Sequence, residues 1–445
     1  MPRSPARGRR TPSAAALWKE YRSLFPRYFW SDKTRLASVV LQGARGARLT
    51  DAQGREYIDL TSQWGTNNLG NVHPEVLRAT TAALEQYGFL IYFMNPHLPM
   101  LKLARKLLRT RPSPNLTRVF LELSGTGAAE GAVKYAVETT GRPVLLSFLG
   151  QYHGLSIATG MIGALSSHER RFWEAYGGGV VHAPYPSSSP RPDGMSADEY
   201  GGWVLDFVRD RLLRHVVAPD RVAGAIFEPV ALEAGVWIPP KSFLVGLRRL
   251  CDEHGWVWID DEVEAGMGRT GRMWAVEHFG VAPDLVAIGK GLSGGLMPIA
   301  AVLGTERIMA EHDVAAGTTF GGHPAACAAA STTLDVMQRD RVVERSAALG
   351  RSALRRIREW RRFDRVVDTR GLGLCLGVEL AKGDRRTPDP KTARAVFFDC
   401  VRHGTIPLYN YGDHVLRIQP SLTISAEELD RALDTIEDAL RRRAS

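Results

Sequence analysis

The 445-residue sequence has few cysteines and no long apolar run, and both absences narrow the class of protein. Its four cysteines are scattered without the spacing of zinc ligands or of a disulfide framework, which argues against zinc modules and small disulfide-rich folds. No apolar run reaches the roughly 20 residues that a membrane-spanning helix needs, because Lys290 and several glycines interrupt the best candidate. We therefore expect a cytoplasmic protein with no metal site and no membrane partner.

The sequence also lacks a recognisable nucleic-acid-binding module, although its net charge is +9. The basic residues are spread along the chain, and the densest groups lie at 3–10, 351–365 and 441–443. Arginine-rich helix faces of this kind are usually solvated surface, so we expect no nucleic-acid partner. Residues 1–16 are predicted to form a disordered basic tail, since no apolar segment follows their Arg pair as a twin-arginine signal requires.

What the sequence does contain is a regular alternation of apolar strands with helical stretches. Apolar runs occur at 119–123, 144–148, 222–227, 256–259 and 285–288, each followed by a segment of helical character. This alternation predicts an α/β fold with a mostly parallel sheet flanked by helices. Ligands of such sheets bind at the carboxyl ends of the strands, where the polar segments of this chain are found.

The pattern changes after residue 325, which predicts a second, smaller α/β domain over 326–445. Its first element is predicted as one long helix over 327–361. The segment 17–75 contains a short hairpin and is predicted to contribute to this small domain. The large domain is then predicted over 76–325.

Two of the apolar runs end in residues that suggest a reactive lysine with an acidic partner. Asp261 ends one run and Lys290, placed between glycines, follows the next. Lysines at buried strand ends often act as nucleophiles that form a Schiff base, and a nearby acid pairs with a pyridinium nitrogen in pyridoxal phosphate sites. The alternative is a surface-loop lysine with an ordinary salt bridge at a strand end.

Other polar segments follow the remaining strands. Gly125 and Thr126 open a helix, which suits either a phosphate site or a simple helix cap. Tyr152 and His153 follow the next strand, where an aromatic ring either stacks on a ligand or packs in the core. Further candidates, each with a purely structural alternative, are Glu228, Glu233, Thr319, Arg417 and Trp64.

The order and spacing of these segments resemble those of class III pyridoxal-phosphate aminotransferases of fold type I, the group that includes ornithine, acetylornithine and 4-aminobutyrate aminotransferases. The resemblance extends from about residue 39 to 436. Its most specific parts are Asp261-Glu262-Val263, the glycine-rich turn that follows, and Gly289-Lys290-Gly291-Leu292.

The resemblance implies pyridoxal 5′-phosphate as cofactor. Lys290 would form the Schiff base and move a proton, and Asp261 would keep the pyridine nitrogen protonated. The other implied cofactor-binding residues include Tyr152 and Val263 on the two ring faces, Gly125 and Thr126 at the phosphate, and His153, Glu228 and Glu264. The homodimer of the family implies that Thr319 reaches the phosphate of the neighbouring subunit's cofactor.

At the substrate end, the resemblance implies that Arg417 binds a carboxylate and that Glu233 pairs with Arg417 when the substrate end is uncharged. Trp64 is a further candidate for the pocket wall. Several positions depart from the family pattern. Among them, Gly127 stands where a Glu is usual, and Glu264 replaces the Gln that bonds the phenolic oxygen of the cofactor.

The implied function is transfer of an amino group from an amine or amino acid to a 2-oxo acid by a ping-pong mechanism. The alternative on the same fold is an epimerase, decarboxylase or aminomutase. A catalytically silent pyridoxal-binding protein is a further alternative, against which Lys290 argues.

Overall fold

The computed structural model describes residues 12–27, 39–165, 178–188, 191–314, 316–409 and 414–444. The strands, numbered in chain order, are β1 Leu41–Arg45, β2 Arg48–Asp51, β3 Glu56–Asp59, β4 Leu116–Glu122, β5 Val144–Phe148, β6 Val180–Ala183, β7 Val222–Phe227, β8 Val257–Asp261, β9 Leu285–Ile288, β10 Ala300–Thr305, β11 Val366–Leu372, β12 Cys375–Leu380, β13 Thr405–Ile406, β14 Leu408–Tyr409 and β15 Val415–Ile418.

The helices of the described residues surround these strands. They are α1 Ala14–Leu24, α2 Pro74–Tyr87, α3 Leu98–Thr110, α4 Gly125–Thr140, α5 Ile157–Ile162, α6 Ala197–Phe207, α7 Lys241–His254, α8 Glu306–Met309, α9 Pro324–Arg339, α10 Val342–Arg358, α11 Pro390–Arg402 and α12 Ala426–Arg443. A π-helical turn, Val208–Leu212, and the short helix Leu213–His215 extend α6, and 3₁₀ turns occur at Pro219–Arg221, Ala275–His278, Lys290–Ser293 and Glu359–Arg362.

A seven-stranded sheet in the order β4-β10-β9-β8-β7-β5-β6 forms the centre of the molecule. Only β10 is antiparallel to its neighbours, so the prediction of an α/β fold with a mostly parallel sheet is confirmed. Strands β7, β8 and β9 are buried along their whole length, as expected for strands covered by helices on both faces. The carboxyl ends of these parallel strands therefore meet at one edge.

Two four-stranded sheets lie outside the central one. The first has the order β1-β2-β3-β13 and joins the N-terminal hairpin to the chain beyond residue 400, because β3 pairs with β13 in parallel. The second has the order β11-β12-β15-β14 and carries Arg417 on β15. The pairing of β3 with β13 is consistent with the predicted contribution of segment 17–75 to the small domain.

Two predicted segments differ in detail. The prediction of one long helix over 327–361 is wrong, since α9 ends at Arg339 and α10 begins at Val342. The break is at Arg341, because its φ of +50° is incompatible with a right-handed helix. Helix α1 begins at Ala14, inside the segment predicted as a tail, while residues 1–11 lie outside the described residues. Within the described ranges, no helix is long and apolar enough to cross a membrane.

The face of β8 turned away from Asp261 carries an unusual buried acid. Asp260 is fully buried, and neither of its carboxyl oxygens has a hydrogen-bond partner among the described residues. Burial and the charges of Glu262 and Asp261 raise the pKa of Asp260 well above its ordinary value. Burial also raises the pKa of Glu262 to about 8. Burial in the folded state therefore favours the protonated forms of Asp260 and Glu262.

We expect Asp260→Asn to stabilise the protein increasingly as the pH rises. A raised pKa in the folded state stabilises the fold at low pH, and this stabilisation is lost as the pH rises through the folded pKa. The free energy of unfolding of Asp260→Asn, relative to that of the wild type, therefore rises by about 1.4 kcal/mol per pH unit between the unfolded and folded pKa values of Asp260. Calorimetric unfolding between pH 5 and 9 measures this difference, with the exposed Asp252→Asn as control. A constant difference at all pH values would contradict it.

Candidate active site

The carboxyl ends of four neighbouring strands surround one cavity. Residues from the segments that follow β5, β7, β8 and β9, together with the first turn of α4, enclose about 140 Å³. The lining residues are Gly125, Thr126, Tyr152, His153, Gly154, Glu228, Asp261, Val263, Glu264 and Lys290. The structure thus brings together all but four of the predicted site residues.

The first turn of α4 forms one end of this cavity. Ser124 caps the helix by accepting a hydrogen bond from the Gly127 N–H at 3.1 Å. The backbone here is tightly enclosed, because a Cβ on Gly125 would lie 2.6 Å from a methyl group of Val263. A Cβ on Gly154 would lie 2.5 Å from the Thr126 hydroxyl. Small residues thus leave helix N–H groups and a hydroxyl available for an anion.

Asp261 also lines the cavity and is held in place by two neighbours. One carboxylate oxygen lies 2.7 Å from Nδ1 of His153, and the other accepts the Val263 N–H at 3.0 Å. Both Asp261 and His153 are buried, and Nε2 of His153 has no partner among the described residues. The arrangement fixes the direction in which the carboxylate faces the cavity.

Glu228 is a second buried acid close to Asp261. It accepts the backbone N–H of Tyr152 at 2.7 Å and thereby positions the segment that carries Tyr152 and His153. Burial and the negative charge of Asp261 raise the pKa of Glu228 well above its ordinary value. A protonated Glu228 adds no second negative charge beside Asp261.

Lys290 begins a 3₁₀ turn directly after β9 with a φ of +39°, a left-handed conformation that costs a non-glycine residue about 1–3 kcal/mol. Its neighbour Gly289 approaches Gly125 so closely that a Cβ would lie 3.3 Å from the Gly125 Cα. The Lys290 ammonium group donates to a carboxylate oxygen of Glu264. Lys290 is thus at the cavity but anchored to the loop after β8.

Glu264 connects Lys290 with the substrate-binding candidates. Its other oxygen accepts hydrogen bonds from Nη1 of Arg417 and from Nε2 of Gln419, both at 3.1 Å. Nη2 of Arg417 donates to Glu233 at 2.8 Å. The result is a buried charge chain of alternating sign, formed by Lys290, Glu264, Arg417 and Glu233.

The charged groups in this charge chain shift the pKa values of Glu264, Glu233 and Arg417. Although burial opposes ionisation of Glu264, the Lys290 and Arg417 cations lower the pKa of Glu264 below its ordinary value. For Glu233 burial prevails over the attraction of Arg417, and the pKa is raised. Burial acts to lower the pKa of Arg417, but Glu233 and Glu264 outweigh it and raise that pKa.

Of the four predicted residues that do not line the cavity, Arg417 and Glu233 reach it through Glu264. Trp64 is half-buried in a left-handed turn, Ser62–Gly65, whose Gly65 lies against Gln419 and Glu264. Thr319 is exposed on the single chain. The neighbouring Thr318 donates a hydrogen bond to Glu122 at 2.8 Å.

Three residues at the site were not identified from the sequence. Gly154, with a φ of +128°, lets Thr126 approach. The buried Glu122 fills the space that a side chain on Gly127 would need, since a Cβ there would lie 2.7 Å from its carboxyl carbon. Gln419 could have been identified from its spacing, because a residue two positions after Arg417 lies on the same side of an extended chain.

Comparison with known proteins agrees with this geometry. The family model for aminotransferase class III matches residues 29–440. The chain belongs to the class III aminotransferase family. It is therefore a fold type I aminotransferase that depends on pyridoxal phosphate.

Named relatives of this aminotransferase catalyse two kinds of reaction. An acetylornithine aminotransferase of Methanopyrus kandleri is 35% identical over 94% of this chain and 98% of the relative. A leucine/methionine racemase of Thermococcus litoralis is 33% identical over 95% of this chain and 94% of the relative. The solved structure of an (S)-enantioselective omega-transaminase from Thermomicrobium roseum is 26% identical, covers 98% of this chain and 100% of that chain, and has a TM-score of 0.88.

The residues present fit pyridoxal phosphate. The helix N-terminus with Gly125 and Thr126 suits a phosphate, Asp261 offers a carboxylate for a ring nitrogen, and Lys290 supplies an amine at the same cavity. The unpartnered Nε2 of His153 leaves one buried polar atom for which this ligand provides a neighbour. No group of three side chains suited to a metal ion occurs in the described part of the chain.

We expect Gly125→Ala to weaken cofactor retention. The added methyl group would collide with Val263, and overpacking a filled site costs about 1–3 kcal/mol, so affinity should fall by about tenfold or more. Equilibrium dialysis against pyridoxal phosphate measures the change. Gly202→Ala on α6, where a Cβ meets no atom within 4 Å, is the matched control. Equal affinities of the two variants would contradict the proposed packing.

Proposed function

We propose that this aminotransferase moves an amino group from an amine or amino acid donor to a 2-oxo acid, with Lys290 as the reacting amine. The observation that carries the proposal is the placement of Lys290 at one cavity with Asp261, Thr126 and Tyr152, while its ammonium group is linked through Glu264 to Arg417. The amino group of a substrate would thus lie near Lys290 and its carboxylate near Arg417, and these two side chains are separated only by Glu264.

When bound, the cofactor supplies an electron-withdrawing ring that stabilises negative charge on the donor carbon. Asp261, oriented by His153, would hold the proton on the ring nitrogen. Tyr152 and Val263 would cover the two ring faces, and Gly125 and Thr126 would bind the phosphate. Lys290 Nζ would take the proton from the donor carbon that bears the amino group.

Arg417 is proposed to bind the substrate carboxylate, and Glu233 to replace that carboxylate when the substrate end is uncharged. The 2.8 Å contact between the two side chains supports this role. An isolated buried guanidinium is costly, so a mobile counter-ion lets one pocket accept both kinds of substrate. Trp64 is proposed to form part of the pocket wall.

A second candidate function is racemisation or epimerisation of an amino acid, because three of the named relatives are an alanine/serine racemase, a leucine/methionine racemase and an isoleucine 2-epimerase. Such a reaction uses the same Lys290 and Asp261. It differs in returning the proton to the donor carbon, so that the amino group never leaves the substrate.

The half-reaction separates the two candidates. The yellow holoenzyme is mixed with single amines or amino acids and no 2-oxo acid, and the visible cofactor band is followed. For an aminotransferase we expect the band to disappear with one equivalent of aldehyde or oxo product per site, and Lys290→Ala to abolish the change. A band that persists while the α-proton of an amino acid exchanges with deuterium and the other enantiomer accumulates would instead establish a racemase.

We also propose a homodimer in which each subunit completes the site of the other through Thr319. Thr319 is exposed on the single chain, next to Phe320, which is 52% exposed. Three further large apolar side chains, Phe93, Met94 and Leu98, are about two-thirds or more exposed. Exposed apolar surface of this extent is typical of a protein interface.

Subunit complementation tests this sharing of the site. We expect Thr319→Asp, whose carboxylate repels the cofactor phosphate, and Lys290→Ala each to be inactive. After the two are unfolded and refolded together, half of the dimers carry one intact site, which restores about a quarter of wild-type activity. If Thr319 served its own subunit, every mixed dimer would have two damaged sites and no activity would return.

A cytoplasmic location and the domain boundaries at 75 and 325 are further proposals. All four cysteines are buried free thiols, which fits a reducing compartment.

A further inference from the structure

Arg417 is neutralised from two sides in this structure. Nη1 donates to Glu264 at 3.1 Å and Nη2 donates to Glu233 at 2.8 Å, while Nε has no partner among the described residues. The side chain has no exposed surface. A ligand carboxylate can therefore reach the guanidinium group only by displacing one of the two acids.

The two acids are held differently. Glu264 is held by Gln419 in addition to Arg417, and the fully buried Gln419 stays in place when Lys290 reacts with the cofactor. Glu233 lies in the loop after β7, beside Gly235 and Val236, whose φ values of +104° and +61° mark a sharp turn. The cations beside Glu264 lower its pKa, whereas burial raises that of Glu233, so Glu233 is the acid more easily neutralised.

We propose that Glu264 is a specificity-determining residue, a fixed counter-ion that permanently occupies one edge of Arg417. The inference rests on the proposed role of Arg417 as the carboxylate site. Glu233 is then the acid that leaves, and it opens only the edge formed by Nη2 and Nε. A substrate carboxylate always binds next to the negative charge of Glu264.

This arrangement defines a class of substrate. An amine whose end at Arg417 is uncharged leaves both acids in place and meets no electrostatic penalty. A carboxylate at the same place exchanges with Glu233 and keeps Glu264 as a like-charged neighbour, which weakens its binding. The site therefore favours amines whose end at Arg417 is uncharged over donors that present a carboxylate there.

The test is the affinity of the holoenzyme for two carboxylates without an amino or oxo group, butyrate and glutarate, by titration calorimetry. Removing the charge in Glu264→Gln should strengthen binding of both ligands at least tenfold. Gln419→Leu, which removes one anchor of Glu264 and keeps its charge, should give a smaller gain of two- to fivefold. Butyramide, which has no charge, should bind the wild type and both variants equally.

Glu437→Gln is the matched control, because Glu437 also pairs with several cations, Arg356, Arg362 and Arg441, but lies outside the pocket. Its affinities should stay within twofold of wild type. No gain in Glu264→Gln, or an equal gain in Glu437→Gln, would overturn the proposal; if Glu264→Gln does not fold, Gln419→Leu decides by the same comparison. The ligands do not react, so a failed half-reaction would overturn the proposed function without changing this result.

Discussion

The active site depends on the compensation of charges that have been removed from water. Arg417 and Arg269 are both fully buried, and such a cation is tolerated only where its hydrogen bonds are supplied by fixed partners. Arg417 has two acids, while Arg269 donates to backbone carbonyl groups near β12 and β15 and to Asn68. Burial lowers the pKa of Arg269 to about 10, and its Nε has no partner among the described residues. These arginines join the loop after β8 to the outer sheets and fix the geometry around Lys290.

Much of this arrangement follows from the sequence, because a parallel sheet brings the carboxyl ends of its strands to one edge. Once the strands are identified, Asp261 and Lys290 have to be neighbours, and β8 and β9 do pair in parallel as far as Asp261. The contacts of Glu264 are different. Arg417 and Gln419 are 153 and 155 residues away in the chain, on a strand of another sheet. No local sequence pattern predicts that Arg417 and Gln419 contact Glu264. The sequence therefore identified Glu264 only as an acid in place of the Gln that is usual in the family.

The elements that the sequence did not predict share a further physical cause. The break between α9 and α10 falls at Asp340 and Arg341, without the glycine or proline that normally marks a helix end. In the turn Ser62–Gly65 four consecutive residues have positive φ, although only the last is a glycine. In both places, the backbone adopts a conformation against the local preference of its residues. The second place borders the active site, as does Lys290, and strained residues of this kind are concentrated where a fixed geometry is needed.

Family membership and substrate choice rest on different residues. Lys290, Asp261 and the first turn of α4 fit one cofactor, while relatives named as a racemase and as an aminotransferase are 33% and 35% identical to this chain. The charge at position 264 lies one step further out, against Arg417, the residue proposed to receive the substrate carboxylate. With an amide there, Arg417 would keep Glu233 as its one acid and would hold a net positive charge once Glu233 moved. With Glu264 the pocket stays close to neutral in both states. A single carboxylate can thus change which amines are accepted while the chemistry at Lys290 stays the same.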